Sequence, residues 1–371
     1  MRNNRRLHQT TSESDAGILL IAPASPPYGG MQLQAELLAT LLRRDGCRVI
    51  AVPSNPPFPR RFRFLEKVRG VRPFAKTVVF CWRLFWALPA AGVVHIMAAS
   101  WLYFFLIVYP AVCLGRLRRK RVILTYHGGE AGRFLSAWGP FAWPAFRMAH
   151  SVTAPSEFLK RILEDYTRVP VTVIPNIVHL SAFPFRERHH LRPRLLVTRH
   201  LERIYDVASI IRAFQQVQAR YPEASLWIAG TGSQEKSLPS LVSHLGLLNV
   251  RFLGHVPYED LPAVYDDCDI FVNASLVDNF PGALLEASAS GLVVISTKAG
   301  GIPFIYEDHK NALLLDVGDS IGLGLAIETV LCDSRLAASL TAAGLSLARK
   351  FEWANIRKTL LELYYVSNVA L

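Results

Sequence analysis

Short apolar, β-branched runs alternate with longer segments of helical spacing along most of the chain. Residues 17–24 (GILLIAPA) read as a buried strand, and a turn follows through Pro26, Pro27, Tyr28, Gly29 and Gly30. Residues 31–44 then repeat apolar positions at helical intervals and stop near Gly46. A second strand is predicted over 48–53. The two most apolar stretches, 78–94 and 101–115, make poor membrane spans. The first holds Arg83 and Pro89, and the second is 15 residues long with Pro110 inside it, against the ~20 a bilayer needs. Each adjoins a predicted strand (92–98 and 121–127), so both are expected as covered helices of a doubly wound sheet. The second of these strands ends in His127, Gly128 and Gly129, and strand carboxyl ends are where α/β folds place their sites. His95, inside VVHIM, reads as a core or rim residue. A second alternation begins at 195, with strands over 195–198, 225–230, 250–253 and 269–274 and a helix over 207–221. A connecting segment, 183–193, carries Pro184, Pro193 and a charge cluster.

The richest stretch is 273–303, NASLVDNFPGALLEASASGLVVISTKAGGIP. Asp278 or Asn279 is expected to cap a helix with Pro281 in its first turn, Gly291 to end it, and 292–297 to form a buried parallel strand. A helix start offers unpaired N–H groups to a phosphate, and Gly300 and Gly301 would let the backbone approach a ligand closely. Asp278 and Glu286 stand beside that anion site as acceptors for sugar hydroxyls. The combination suits a nucleotide sugar.

These residues resemble the signature of the retaining GT-B glycosyltransferases of the family 4 type, the glycosyl transferases group 1. The pattern E-G-F-P-x-x-L-L-E-A followed by G-G-I-P-E is matched by Asp278, Phe280, Pro281, Leu284, Leu285, Glu286 and Ala287, then Gly300, Gly301, Ile302 and Pro303. Asp278 replaces the first glutamate and Phe304 the last acid. The resemblance implies an α/β GT-B fold, two Rossmann-like doubly wound parallel-sheet domains facing a central cleft. The implied boundaries are a tail at 1–16, an acceptor-side domain at 17–182, a nucleotide-sugar domain at 194–350, and a helix at 351–371 returning to the first domain. It implies that His127 contacts the donor sugar or β-phosphate, Arg199 grips the diphosphate, Asp278 binds sugar hydroxyls and Glu286 the ribose. Gly29, Gly30, Gly230, Val256, Asn279, Phe280 and Pro281 would line the donor site. Arg203 would stand in for a lysine, since Ile204 and Tyr205 occupy that lysine's usual place. Glu130 and Arg133 would face the acceptor. The implied reaction is transfer from a UDP- or GDP-linked sugar to a hydroxyl of a membrane-associated or polysaccharide acceptor, with no metal or other cofactor. The alternatives are a nucleotide-sugar epimerase of the same architecture, or a nucleotide-sugar-binding scaffold with an impaired donor site.

Composition adds where the chain works. Five scattered cysteines without a C-x-x-C pair read as small core residues of a reduced, cytoplasmic protein, and the polar first sixteen residues lack a secretory apolar core. The net charge of +12 is lopsided: residues 1–190 hold 26 Lys and Arg against 10 Asp and Glu, the remainder 15 against 19. That balance points to an anionic partner for the first half. No zinc finger or RNP motif argues for nucleic acid. An anionic membrane surface is expected to meet two segments, one running from Arg60 to Lys76 with interleaved phenylalanines, the other from Arg116 to Arg121. The D-x-D at Asp267 and Asp269 is read as capping and strand entry rather than as a metal motif.

Overall fold

Gly17–Ala22 forms β1, and all six of its residues are buried. GILLIA has no polar side chain to hydrate, so it sits inside a sheet, paired in parallel with β2 (Val49–Pro53) on one edge and β3 (Ala91–Ala98) on the other. The computed structural model describes residues 17–24, 29–68 and 70–365. The expected tail over 1–16, the turn residues Pro26 to Tyr28, Arg69, and the end of the last expected helix lie outside the described residues, as do the side chains of Arg63, Leu65 and Lys67.

The chain divides into two compact units, 1–177 with 356–371, and 178–355. In the first, β4 (Arg121–Tyr126), β5 (Ser151–Ala154) and β6 (Val171–Val173) extend the all-parallel sheet to the order β2-β1-β3-β4-β5-β6. His95 lies in its core, 2 % exposed. Its Nδ1 is 2.6 Å from the Tyr364 hydroxyl of the helix Trp353–Tyr365, and its Nε2 is 2.6 Å from Thr125, which reaches on to Thr153. Burial, and secondly His127, hold the His95 ring down at about 3, so it serves as a neutral hydrogen-bond bridge. Arg121 adds a bond from its Nε to the Leu363 carbonyl, 2.7 Å.

One of the two helices expected to be covered is exposed instead. The helix Arg72–Ala87 is not covered: only Phe80 and Leu84 are buried, while Phe74, Val78, Trp82, Phe85 and Trp86 face outward. Its apolar composition hid a two-faced helix.

The second unit repeats the plan with β7 (Arg194–Thr198), β8 (Ser225–Ala229), β9 (Val250–Gly254), β10 (Ile270–Val272), β11 (Val293–Thr297) and β12 (Leu313–Leu315), in the order β12-β11-β10-β7-β8-β9. All of these pairings are parallel. The segment 183–193, expected as a connection, is part of this unit's packing. Phe183 is buried against Tyr265, rings 5.3 Å apart. Arg188, with 1 % of its side chain exposed, donates to the carbonyls of Cys268 and Ser290. Asp269, at the entry to β10, accepts from Arg186, Arg188 and Arg192 at 2.7–3.0 Å. The D-x-D therefore ends in an arginine clamp, not a cap.

Candidate functional site

β7 ends at Thr198, and Arg199 follows at the carboxyl edge of the sheet. Arg199 Nε donates to Asn273 Oδ1 at 2.9 Å, and Nη2 to Asp278 Oδ2 at 2.6 Å. Asn273 is itself fully buried at the end of β10, held by Ser275 and Ser296. The Tyr205 ring lies 5.3 Å from the guanidinium. Three groups thus fix one arginine at the place where parallel sheets bind ligands, with Nη1 left over for an anion.

Asp278 does not cap the helix Gly282–Ala289, and neither does Asn279. Pro281 occupies the cap position and no side chain closes it. Asp278 Oδ1 instead accepts from the Phe280 N–H at 3.1 Å, turning the chain, while its other oxygen pairs with Arg199. The helix starts at Gly282 with Pro281 at the cap position, three residues past Asp278, and both Asp278 oxygens are taken up by Arg199 and the Phe280 amide. Phe280 packs edge-on against Phe351, and Pro281 is buried. Gly300 and Gly301 are required by a close approach, but to protein: an added Cβ would lie 2.3 Å from the Asp278 carbonyl oxygen and 2.3 Å from that of Asn279, respectively. Their role is to press the 278–279 backbone into place, with Gly301 N–H donating to Asp278 O at 2.6 Å.

Glu286, one turn into the same helix, has Oε2 3.1 Å from the Tyr265 hydroxyl, which lies 2.8 Å from Thr198 Oγ1. Burial lifts the Glu286 carboxyl to about 7 against the opposing pull of Tyr265, Arg199 and Tyr258. Through Tyr265, Glu286 thus reaches Thr198, the residue before Arg199. Gly230, at φ +145°, lies under Arg199: a Cβ there would fall 1.9 Å from the Arg199 carbonyl oxygen. Gly230→Ala is therefore expected to cost about 3 kcal/mol or more through strain and clash. Urea unfolding will read it, and a loss below about 1 kcal/mol would refute this packing role. Arg203 is exposed on the short turn Arg203–Tyr205, and Val256 is half-buried just beyond β9.

In the first unit His127 follows β4, half-buried, with its N–H bonded to the Ala98 carbonyl. Burial lowers its ring to about 4, leaving a neutral imidazole. Glu130 accepts from Arg133 at 2.6 Å and from the Trp101 indole at 2.8 Å. Gly29 precedes the helix Gly30–Arg44 in extended backbone. The structure thus gathers Arg199, Asp278, Asn279, Phe280, Pro281 and Glu286 in one unit, and places His127, Glu130, Arg133, Gly29 and Gly30 in the other. Sequence reasoning passed over Asn273, Tyr258 and Tyr265. Asn273 had a signal, a polar residue closing an apolar strand; Tyr265 had none, being 21 positions from Glu286.

Two family profiles match this chain: Glycosyltransferase Family 4 over residues 28–182 and Glycosyl transferases group 1 over 184–346. The chain belongs to these glycosyltransferases. Among relatives of this glycosyltransferase, a glycogen synthase of Mycobacterium tuberculosis is 28 % identical over 291 residues, covering 73 % of this chain and 68 % of that protein. A GDP-mannose-dependent alpha-(1-6)-phosphatidylinositol monomannoside mannosyltransferase of Mycolicibacterium smegmatis is 29 % identical over 269 residues, 63 % of this chain and 68 % of that one. Anabaena Alr3699/HepE, solved in complex with UDP-glucose, superposes with a TM-score of 0.73 at 18 % identity, covering 94 % of this chain and 98 % of its own. Sucrose-phosphate synthase of Thermosynechococcus elongatus gives 0.72 at 20 % identity over the same shares. The glycosyltransferase has the GT-B fold, two Rossmann-like domains each built on a parallel six-stranded sheet.

Proposed function

We propose that this glycosyltransferase moves a sugar from a UDP- or GDP-linked donor to a hydroxyl of a membrane-associated or polysaccharide acceptor, with retention at the anomeric carbon. The observation that carries the reading is Arg199, locked by Asn273 and Asp278 at a sheet carboxyl edge with one guanidinium nitrogen to spare. Breaking the anomeric C–O bond leaves the electron pair on the diphosphate. A guanidinium already in place stabilises that charge without reorganising, worth about 2–4 kcal/mol. The acceptor oxygen bonds to the anomeric carbon on the face the diphosphate leaves, and its proton passes to the departing phosphate oxygen. His127, neutral, donates an N–H to the sugar or the β-phosphate. Asp278, committed to Arg199 by one oxygen, offers the sugar hydroxyls only what that pair leaves. Glu286 takes the ribose hydroxyls, and Arg203 supports the diphosphate. Support for the donor class comes from relatives: one is named for GDP-mannose, and another was solved with UDP-glucose.

Incubation with a panel of UDP- and GDP-sugars separates the readings: transferred sugar supports this one, isomerised sugar the epimerase, and bound but unaltered donor the scaffold. The anomeric coupling constant of the product reports retention.

Glu286 supplies a pH signature. Ribose hydroxyls donate to the ionised carboxylate, so a bound nucleotide favours the deprotonated form and lowers the carboxyl from about 7. Affinity for the nucleoside diphosphate is expected to rise with pH up to and just above 7, with a proton released on binding. In Glu286→Gln only the titration of the phosphates themselves remains. Calorimetry in buffers of different ionisation enthalpy measures the released proton; an identical profile in native protein and variant removes Glu286 from the ribose.

A further inference from the structure

The outward stripe of the helix Arg72–Ala87 is an unusual surface. Phe74, Val78 and Trp82 recur every four residues, with Phe85 and Trp86 continuing the line, as one helix face requires. Trp82 and Trp86 are 64 % and 67 % exposed. The surface does not end with this helix. The Arg118 guanidinium, just past the helix Tyr109–Leu117, stacks 4.1 Å from the Phe85 ring. The next helix, Ala131–Met148, joins Trp138 and Phe141 to Phe105 and Tyr109 around an open groove of about 420 Å³. The Phe105 and Trp138 rings are 5.8 Å apart, as are those of Trp138 and Phe141.

Charge selects the occupant. Residues 67–156 hold 12 Lys and Arg but one acid, Glu130, and Glu130 is already bonded to Arg133. The first unit as a whole carries 26 cationic against 10 acidic side chains. A second copy seated on this face would set one such cationic surface against another. Nucleic acid would neutralise the charge but leave the aliphatic and tryptophan stripe wet. Among the described residues no helix is long and apolar enough to cross a bilayer.

We propose that this face docks on an anionic lipid surface, with the indoles of Trp82 and Trp86 at the head-group boundary and Arg72, Lys76, Arg83 and Arg118 on lipid phosphates. The sequence pointed to the flanking segments beginning at Arg60 and Arg116. The structure shows that the first of these segments runs into the helix Arg72–Ala87 and adds the outward apolar stripe of that helix. The inference deepens the transferase reading, since a face held on lipid brings the first unit to a lipid-carried acceptor.

The full chain should sediment with vesicles of phosphatidylglycerol and phosphatidylcholine in equal parts, far less with phosphatidylcholine alone, and release as salt rises. The double variant Trp82→Ala, Trp86→Ala should bind the anionic vesicles about tenfold or more weakly, with native circular dichroism and UDP affinity. Arg72→Glu, Lys76→Glu and Arg83→Glu together should erase the preference for anionic lipid. Brominated lipid should quench tryptophan emission in the native chain and much less in the double variant. The proposal falls if the native chain ignores anionic vesicles, or if the tryptophan variant binds them equally. It falls too if light scattering shows a dimer, or DNA binding, that the tryptophan variant abolishes. UDP binding in the same samples separates failure of this face from failure of the donor site.

Discussion

Replacing Arg199 with alanine is expected to lower the transfer rate per donor about 10²–10³-fold, the cost of removing one preorganised charge from a developing anion. The arginine is 11 % exposed and its partner Asp278 8 %, so neither charge is well screened by water. Removing Arg199 also strips Asp278 of its counter-charge, and that cost must be separated from catalysis. Arg199→Lys does so: it keeps a positive charge but cannot hold Asn273 and Asp278 in one planar fork while presenting a third nitrogen. Lysine is expected to recover most of the stability and little of the rate. Thermal melting and kcat/KM measured on the same preparations test both halves. Near-native kcat/KM in Arg199→Ala would remove the diphosphate role and, with it, the observation on which the transferase mechanism stands. A cycle with Asp278→Asn should be strongly non-additive, because the two residues act as one unit.

Asp269→Ala is expected to destabilise the second unit by about 3–5 kcal/mol, the cost of stranding a buried charge. Arg188 is the reason. With 1 % of its side chain exposed it has no route to water, and burial already pushes its guanidinium below the usual value. Three arginines from 186–192 converge on one carboxylate, so its loss frees the segment that leads into β7. The pH dependence has a definite sign. Burial alone would raise the Asp269 carboxyl, but bonds from Arg192 and Arg186 outweigh it and hold it at about 2, against 3.8 for the free group. A folded value below the unfolded one means the contribution is complete above 3.8 and vanishes as pH falls through about 2. The difference is on the order of 2 kcal/mol. Urea midpoints of native protein and Asp269→Ala should converge toward acid pH; a constant gap would show that the clamp is not what holds the segment.

Where local pattern and tertiary partner agreed, the sequence was a sufficient guide. The runs GILLIA and VVIST are buried strands because nothing in them can be hydrated, and their spacing left parallel pairing as the consistent arrangement. Glu286 could be singled out from the 273–303 stretch and Arg199 from the family resemblance, and the structure bonds Glu286 through Tyr265 to Thr198, the residue before Arg199. Asp278 was readable as a polar residue ahead of a helix but not for its partner: the cap position falls to Pro281, and Arg199, 79 positions away, pairs with the carboxylate. Gly300 and Gly301 could be read as glycine positions but not for what. Their neighbour is the 278–279 backbone, which only folding brings there. The segment 183–193 looked like a linker because prolines and charges usually stay in water; Asp269 reverses that by neutralising Arg188 inside the unit.

The chain by itself determined its α/β alternation, its family signature and the imbalance of charge between its halves, since each depends on residue type and near spacing. The tertiary structure alone decided which carboxylate meets which guanidinium, and which side of an apolar helix faces outward. Those outcomes depend on contacts between residues far apart in sequence, and no local preference encodes a distant partner.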